Sequence, residues 1–338
     1  MSVINLQIEQ KNSIIDMIEA NIEDSELTKI LFNQGEDINQ VEKTYGNNLL
    51  ILSIEKSYLG LSKIFLENGI DINHSNDYEN NALMVAIDEG EKKGIDLLIE
   101  YGINLNHQNC TGKNAFIMAI EAGMLDVAKK LIESGININF KDRDGRSTLM
   151  WSLESGYKDI TKLLIAKGVN LDTRNKTGWT ALIWASVNGH EDMVKLLIES
   201  GADLNIKNRD GWNALVGAIF KNYYSIAKML VDSGIVINVE DKYLVSAILF
   251  SYDNEYIDTF NLLYNAGFEN SNIKNKNAEN MNRMFHRLRI KVSIAKRDRE
   301  ARALESARAL DARVKASLDR TQAILNRSQA RTSILLGE

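Results

Sequence analysis

The sequence predicts an all-α fold: a solenoid of helix-turn-helix repeats of 33 residues, followed by a long C-terminal helix. Glycines stand 33 residues apart from Gly69 to Gly267, after a first interval of 34 from Gly35. A small polar residue precedes an apolar stretch at the same spacing, from Asn48 to Ser246. A second apolar stretch follows in each period. Since one such unit cannot bury its apolar face alone, neighbouring units must stack.

The clearest copy of the unit covers residues 177–205. The stretch Gly178–Leu182 opens a first helix, Asn188–His190 interrupts it, and Met193–Leu197 forms the apolar stripe of a second helix. Gly201 then ends the second helix. Apolar residues at helical spacing between such signals predict two short helices joined by a turn.

The recurring glycines are predicted to end the second helices. A left-handed backbone conformation just after a helix costs glycine little, because glycine has no Cβ atom. These residues are Gly35, Gly69, Gly102, Gly135, Gly168, Gly201, Gly234 and Gly267.

The recurring polar residues are predicted to cap the first helices. Each carries a side-chain oxygen that accepts a hydrogen bond from a backbone N–H of the first turn, worth ~1 kcal/mol. These residues are Asn48, Asn81, Asn114, Ser147, Thr180, Asn213 and Ser246.

The unit resembles the ankyrin repeat, a turn and two short helices ending in Gly-Ala-Asp-Val-Asn, which here reads Gly201-Ala-Asp-Leu-Asn. The resemblance covers roughly residues 13–270 and about eight repeats. The family's proline at the first helical position is missing, since the chain has no proline. Apolar residues such as Ile183 replace the histidine of the family's Thr-Pro-Leu-His motif. This departure predicts a less polar seam between repeats.

Composition divides the chain into four segments. Residues 1–35 are predicted to form an N-terminal capping repeat, with Ile14 and Ile18 in its first helix. Residues 36–267 hold the repeats, and residues 268–277 form a polar linker. Residues 278–338 are rich in Ala and Arg and predict a basic helical tail.

Charge is unevenly placed along the chain. The net charge of the chain is −6. Residues 278–338 contain 14 basic residues (Lys and Arg) and seven acidic ones (Asp and Glu), whereas residues 1–277 contain 26 basic and 39 acidic residues. The tail is therefore predicted to tether the protein, to dock on the acidic repeats or on a partner, or to form a homo- or hetero-oligomer through a coiled-coil seam. Its candidate attachment residues are Arg283, Arg287, Lys291, Arg297, Arg299 and Arg302.

All four tryptophans lie in the central repeats and are candidates for partner binding. Trp179 and Trp212 follow turn glycines, while Trp151 and Trp184 are equivalent positions on first helices. The resemblance implies that all four face the concave groove of the repeats, although Trp151 and Trp184 equally fit as fillers of gaps left by the missing proline and histidine. Buried tryptophans anchor interfaces through apolar area and an N–H donor.

Residues predicted at the tips of the turns extend this candidate site. They are Tyr78, Arg143, Arg146 and Arg209. Arg143, Arg146 and Arg209 beside the tryptophans would form a mixed aromatic and basic patch suited to an acidic or apolar protein partner. Solvated turn charges are the alternative interpretation.

The sequence predicts neither an enzyme nor a metal or cofactor site. It contains no nucleophile elbow, phosphate-binding glycine loop or zinc motif. His74 and His107 occupy equivalent positions, but two ligands make a poor metal site. Cys110 is the only cysteine, so no intramolecular disulfide forms, and a reducing cytoplasmic setting is predicted. No signal peptide or membrane span is indicated, and no membrane partner is predicted.

Three functional hypotheses follow from these features. The first is a non-catalytic interaction scaffold that grips a protein partner in the groove. The second is a structural component of a larger assembly such as a phage virion, attached through the C-terminal helix, because the C-terminal end faintly resembles those of some phage virion-associated proteins. The third is an adaptor tethered to nucleic acid by the basic tail, although Phe285 is the tail's one aromatic residue for base stacking.

Overall fold

The computed structural model describes residues 14–19, 37–238, 241–254, 256–263, 265–266 and a set of residues between 286 and 315. The chain divides into two units, residues 1–250 and residues 251–338, which are described separately.

The first unit is a stack of helix pairs in which a first helix of seven residues precedes a second helix of nine. Within the described residues, β-pairing occurs only as isolated bridges, which join Val41 with Asn48, Ser75 with Asn81 and Lys141 with Ser147. The helices are α1 (Ile14–Glu19), α2 (Leu49–Glu55), α3 (Leu59–Glu67), α4 (Ala82–Asp88), α5 (Lys92–Glu100), α6 (Ala115–Glu121), α7 (Leu125–Glu133), α8 (Thr148–Glu154), α9 (Lys158–Ala166), α10 (Ala181–Val187), α11 (Glu191–Glu199), α12 (Ala214–Phe220), α13 (Tyr224–Asp232) and α14 (Lys242–Asp253), the last of which runs into the second unit.

Helix pairs pack both within and between repeats. Each first helix contacts the second helix of its own repeat and the first helix of the next, from α2 to α12. The residues at the missing histidine position form a buried apolar column through this stack, as the sequence predicts. Its fully buried members are Ile51, Met84, Ile117, Met150, Ile183 and Val216.

Six of the seven predicted N-caps are confirmed. In each, the side-chain oxygen accepts from the backbone N–H three residues later, as Asn81 does from Met84 at 3.1 Å. The capping residues are Asn48, Asn81, Asn114, Ser147, Thr180 and Asn213.

The seventh prediction, that Ser246 caps a helix, is wrong, because Ser246 lies inside α14. Tyr243 and Leu244 stand where the earlier repeats have a turn, and the helix begins before them. Asp241 takes the capping role, since its Oδ1 accepts from the N–H of Tyr243 at 2.9 Å. Ser246 instead donates its hydroxyl to the carbonyl of Lys242 at 2.7 Å.

The predicted stop glycines have left-handed backbones wherever they are described. Their φ values lie between +78° and +88°. The conformation ends each second helix and turns the chain toward the next repeat. These residues are Gly69, Gly102, Gly135, Gly168, Gly201 and Gly234, whereas Gly35 and Gly267 lie outside the described residues.

A ladder of Asn and Asp side chains joins the repeats, and it was not predicted. The Oδ1 atom of the first member in each repeat accepts the backbone N–H two residues later. The Oδ1 atom of the second member accepts a backbone N–H of the next repeat. The distances are 2.7 to 3.0 Å. The members of this Asx ladder are Asp37, Asn39, Asp71, Asn73, Asn104, Asn106, Asn137, Asn139, Asn170, Asp172, Asp203 and Asn205.

Removing one rung of the Asx ladder is expected to lower the free energy of unfolding. Asn139→Ala deprives the N–H of Asn170 of the acceptor that lies 2.8 Å away, which is expected to cost about 1 kcal/mol in urea unfolding. Asn139→Asp keeps the oxygen, as Asp172 does naturally at the equivalent position, and is expected to retain most of the stability. Equal stability of Asn139→Ala and the wild type would contradict this role.

The terminal predictions are only partly within the described residues. Helix α1 packs against α2 and matches the predicted first helix of the capping repeat, while the second helix of that repeat lies outside. In the second unit, α15 (Ile257–Leu263) is a short helix. Every described residue between 286 and 315 is helical and exposed, but the linker and the single long helix over 278–338 stay predictions.

Candidate functional site

Each central repeat begins with a tight hairpin that holds its last residue over the first helix that follows. The N–H of Asn175 donates to the carbonyl of Trp179 at 3.0 Å, and Asn175 Oδ1 accepts the N–H of Trp179 at 2.9 Å. The same two hydrogen bonds join Asn208 and Trp212, at 2.8 and 2.9 Å. The backbone therefore fixes where both tryptophans stand.

The last hairpin residue stands eight positions before the last residue of the first helix, and the two side chains are in contact in four of the repeats. Lys113 Nζ lies 2.6 Å from Glu121 Oε2, and the rings of Trp212 and Phe220 stack with centroids 4.9 Å apart. We call the surface built from these pairs the groove surface. By position, the pairs are Asn47 with Glu55, Asn80 with Asp88, Lys113 with Glu121, Arg146 with Glu154, Trp179 with Val187, and Trp212 with Phe220.

The chemistry of the groove surface changes along the stack. In the first four pairs the helix residue is Asp or Glu and its partner is Asn, Lys or Arg; in the last two pairs every member is apolar or aromatic. Phe250 continues the apolar part, with its ring centroid 5.0 Å from that of Phe220. We call this part the aromatic half. It consists of Trp179, Trp184, Val187, Trp212, Phe220 and Phe250, all of them partly exposed.

A cleft of about 330 Å³ lies where the aromatic half begins. Trp179, Trp184 and Val187 of the aromatic half line this cleft, and so does Glu154, the helix residue of the fourth pair. The ring of Trp184 stacks on His190 with centroids 5.2 Å apart and an interplanar angle of 21°. This stacking holds the Trp184 indole at the wall of the cleft.

Trp151 has a different setting from Trp184, although the two are equivalent in sequence. The Arg146 guanidinium lies 4.0 Å from the Trp151 ring centroid. Trp151 Nε1–H donates to Asp142 Oδ2 at 3.0 Å, and Arg146 Nε donates to the same oxygen at 2.9 Å. Both the ring face and the N–H of Trp151 thus have partners within their own repeat.

The predicted tip residues are spread over three hairpins. Arg143 and Arg209 are exposed at hairpins of the central repeats. Tyr78 is 54% exposed, but it lies two hairpins before Arg143 and stacks on Tyr45 with centroids 6.2 Å apart. The guanidinium of Arg146 contacts the ring of Trp151. A role for any of these residues in binding stays a prediction.

Sequence reasoning missed the helix side of the groove surface. Glu154, Val187, Phe220 and Phe250 carry its chemistry as much as the tryptophans do. The spacing of eight residues between Trp212 and Phe220, repeated in Arg146 and Glu154, was the available signal. Single apolar residues near the end of a short helix are, however, usually core residues.

Half of the candidate attachment residues in the tail are among the described residues. Arg287, Arg297 and Arg302 are helical and exposed. Arg283, Lys291 and Arg299 lie outside the described residues, so the attachment role of the set stays a prediction.

The Glu154 carboxyl is electrostatically strained in the isolated protein. Burial raises the pKa of Glu154 and outweighs the lowering by the charge and hydrogen bond of Arg146, while Asp142 raises it further. Arg146 Nη1 lies 3.5 Å from Glu154 Oε2, which is a long contact. The ionised carboxylate is therefore only partly compensated.

This strain predicts that Glu154→Gln stabilises the protein at neutral pH. Because the pKa of Glu154 is higher in the folded than in the unfolded protein, its contribution to stability is complete at a pH below the unfolded-state pKa. That contribution is lost as the pH rises through the folded-state pKa. The gain at pH 7 is expected to be below about 1 kcal/mol, because the side chain is partly exposed and solvent screens its charge. Thermal melts at pH 7 and pH 3.5 test this: the difference between the variant and the wild type should shrink at the lower pH. A variant less stable than the wild type at pH 7 would contradict it.

His74 and His107 make contacts between repeats. His74 Nε2 lies 2.7 Å from the Gly46 carbonyl, and His107 Nε2 lies 2.7 Å from the Glu79 carbonyl. Over the described ranges, no group of three or more His, Cys, Asp and Glu side chains could hold a metal ion. In that same part of the chain, no helix is both long and apolar enough to cross a membrane.

The fold and the exposed groove surface define a helical repeat solenoid, a class of protein that presents an extended binding surface. The family model for ankyrin repeats matches residues 17–109, 104–175 and 167–241. The chain therefore belongs to the ankyrin-repeat family. Ankyrin repeats generally mediate protein–protein interactions and are typically non-catalytic. The total of about eight repeats stays a prediction.

Solved structures include similar chains. The crystal structure of an ankyrin repeat domain from Acinetobacter baumannii is 29% identical, covers 54% of this chain and 96% of its own, and superposes with a TM-score of 0.51. A chain from the complex of the Bdellovibrio bacteriovorus predatory endopeptidase Bd0816 with immunity protein Bd3460 is 27% identical, covers 57% of this chain and 99% of its own, and has a TM-score of 0.48. No curated protein sequence matches the chain significantly.

Proposed function

We propose that the protein is a non-catalytic interaction scaffold that holds a protein partner against the aromatic half of the groove surface. The observation that carries the proposal is the change from ion-paired residues to tryptophan and phenylalanine at equivalent positions of successive repeats. Only the side chains differ between these repeats, because the same backbone hydrogen bonds hold Asn109 with Lys113 and Asn208 with Trp212. The difference therefore lies in what the surface offers to another molecule.

The cost of exposing aromatic side chains supports a binding role. A contiguous apolar patch on a protein surface is uncommon unless it is covered by a partner. Tryptophan residues in particular contribute much of the affinity at protein interfaces, because they bury a large rigid area. The ring of Phe220 stacks on Trp212 and packs at a tilt of 53° against Phe250, so these three rings offer such an area already ordered before binding.

The basic tail is assigned an accessory role in this proposal, as a tether or an oligomerisation element. Its described residues Ile290, Ile294 and Leu304 are each about half exposed, which suits a helix that packs against another molecule. The proposal therefore places partner recognition in the repeats and attachment in residues 278–338.

The experiment compares three full-length variants for capture of partners from the native source, with identification by mass spectrometry. Trp179→Ala combined with Trp212→Ala removes the two hairpin tryptophans of the aromatic half and is expected to reduce capture of the specific partner by ~30-fold or more. Tyr224→Ala, at an exposed tyrosine of α13 that is not part of the groove surface, is the aromatic control and should capture as much as the wild type.

The third variant tests the tail by reversing the charges of Arg287, Arg297 and Arg302 to Glu. It should keep the partner that the tryptophan variant loses. Unchanged capture by the tryptophan variant, with loss in the tail variant, would instead assign recognition to the tail. A steep decrease of that capture with salt, together with bound nucleic acid, would favour the nucleic-acid-tethered adaptor.

A further inference from the structure

We propose that the cleft between Trp179 and Trp184 binds a lysine or arginine side chain of the protein partner, with the Glu154 carboxylate as its counter-ion. This inference rests on the proposed function and specifies the chemistry of the partner. A cation is attracted to the face of an indole ring by the ring's quadrupole, and more strongly where water is excluded. The cleft combines two indole rings with one carboxylate.

The preceding repeat shows a related arrangement, in which the chain itself supplies the cation and Glu154 belongs to the same repeat as the tryptophan. There, Arg146 lies 4.0 Å from the ring centroid of Trp151 and 3.5 Å from Glu154 Oε2. One repeat later, Trp184 occupies the position of Trp151, but Trp179 occupies the position of Arg146. The ring of Trp184 is thus presented in the same register as Trp151, and the chain has replaced the arginine by a second aromatic wall.

Glu154 has capacity for a second cation. Arg146 directs its Nε to Asp142 Oδ2 at 2.9 Å and reaches Glu154 only through Nη1 at 3.5 Å. The Glu154 side chain is 27% exposed, so a partner group can reach it. Partial burial without full compensation raises the pKa of Glu154. A cation bound in the cleft would supply the missing compensation.

The size and polarity of the cleft suit one long side chain. Its volume of about 330 Å³ is at the lower end of the ~300–1,000 Å³ typical of ligand pockets. Asn175 and Asn188 contribute polar groups to its wall, and Met150 and Val187 contribute apolar ones. The aliphatic stem of lysine or arginine packs on apolar surface while its charged end meets a carboxylate. The overall excess of acidic residues in 1–277 also favours a basic partner segment.

The test titrates the full-length protein with small cationic probes and follows the indole N–H signals of the four tryptophans by NMR. The probes are Nα-acetyl-arginine amide and Nα-acetyl-lysine amide, and Nα-acetyl-citrulline amide is the neutral control of the same shape as arginine. Single Trp→Phe variants assign the signals. We expect saturable shifts at Trp179 and Trp184 with both cations, little shift at Trp212, and a much weaker response to citrulline.

Glu154→Gln is the decisive variant, since it removes the charge and keeps the shape. We expect it to weaken cation binding by ~5- to 30-fold, as for loss of a charge-assisted contact, while the indole signals stay dispersed as in a folded protein. Trp212→Phe, which leaves the cleft intact, should bind as the wild type does. Equal shifts with arginine and citrulline, or unchanged binding by Glu154→Gln, would overturn the inference.

The outcome is separable from that of the proposed function. Loss of partner capture in the tryptophan variant, with no response of Trp179 and Trp184 to cations, would leave the scaffold proposal in place and reject the cation site. Cation binding that depends on Glu154, with partner capture unaffected by the tryptophan variant, would support the cleft chemistry and reject the groove as the partner's site.

Discussion

Replacing Gly178 by alanine is expected to lower the free energy of unfolding by about 3 kcal/mol, one of the two largest effects expected in this protein. Gly178 has a φ of +83°, which costs a residue with a Cβ atom about 1–2 kcal/mol. An added Cβ would also lie 2.9 Å from the backbone nitrogen of Arg209 and 3.0 Å from the Cα of Asn208. These atoms belong to the next hairpin and cannot move without disturbing the stack.

The control for this prediction is Gly168→Ala, at a stop glycine whose φ angle is close to that of Gly178. Its φ is +78°, but no atom lies within 4 Å of an added Cβ. It should show only the conformational cost of about 1 kcal/mol. Urea unfolding followed by circular dichroism measures both. Similar losses in the two variants would mean that the contact between hairpins contributes nothing beyond backbone strain.

The second large effect is expected for Phe116→Ala. Phe116 lies in α6, near the middle of the stack, and is completely buried. The substitution removes a large apolar side chain and leaves a cavity, which typically costs about 3–5 kcal/mol. Because each repeat is stabilised mainly by its neighbours, weakening one central interface is also expected to reduce cooperativity. A broadened or two-step unfolding transition would be the sign of this.

Phe220→Ala is the matched control for the core substitution. Phe220 is only partly buried, and its ring packs on Trp212 and Phe250 at the groove surface. The loss of stability should therefore be clearly smaller than for Phe116→Ala, because the space left is open to solvent. Partner capture should fall instead. A loss of stability equal to that of Phe116→Ala would place Phe220 in the core and weaken the proposed role of the aromatic half.

Local signals predicted most of the repeat architecture. The caps at Asn48 and Thr180 and the stop at Gly201 were readable, because each depends on a residue's own side chain or backbone preference. The prediction failed at Ser246, whose capping oxygen is useful only if the turn before it forms. With Tyr243 and Leu244 in that turn, Asp241 offers an earlier start and the helix takes it.

The candidate site was predicted less completely than the fold. The four tryptophans were identified, but Trp151 and Trp184 were treated as equivalent. Their settings differ because Arg146 covers one ring while His190 stacks on the other. Such pairings depend on residues five or six positions away in sequence: Arg146 lies in the hairpin before the first helix, and His190 lies at the start of the second helix.

The sequence by itself determined the family, the period, six of the seven predicted caps and the buried apolar column, because those follow from short-range preferences repeated every 33 residues. Tertiary structure alone decided how the repeats are joined through the Asx ladder and where the groove surface changes from ion pairs to aromatic rings. The ladder joins residues such as Asn139 and Asn170, which are 31 apart. The stacking of hairpins on helices sets these contacts, and no local pattern contains that geometry.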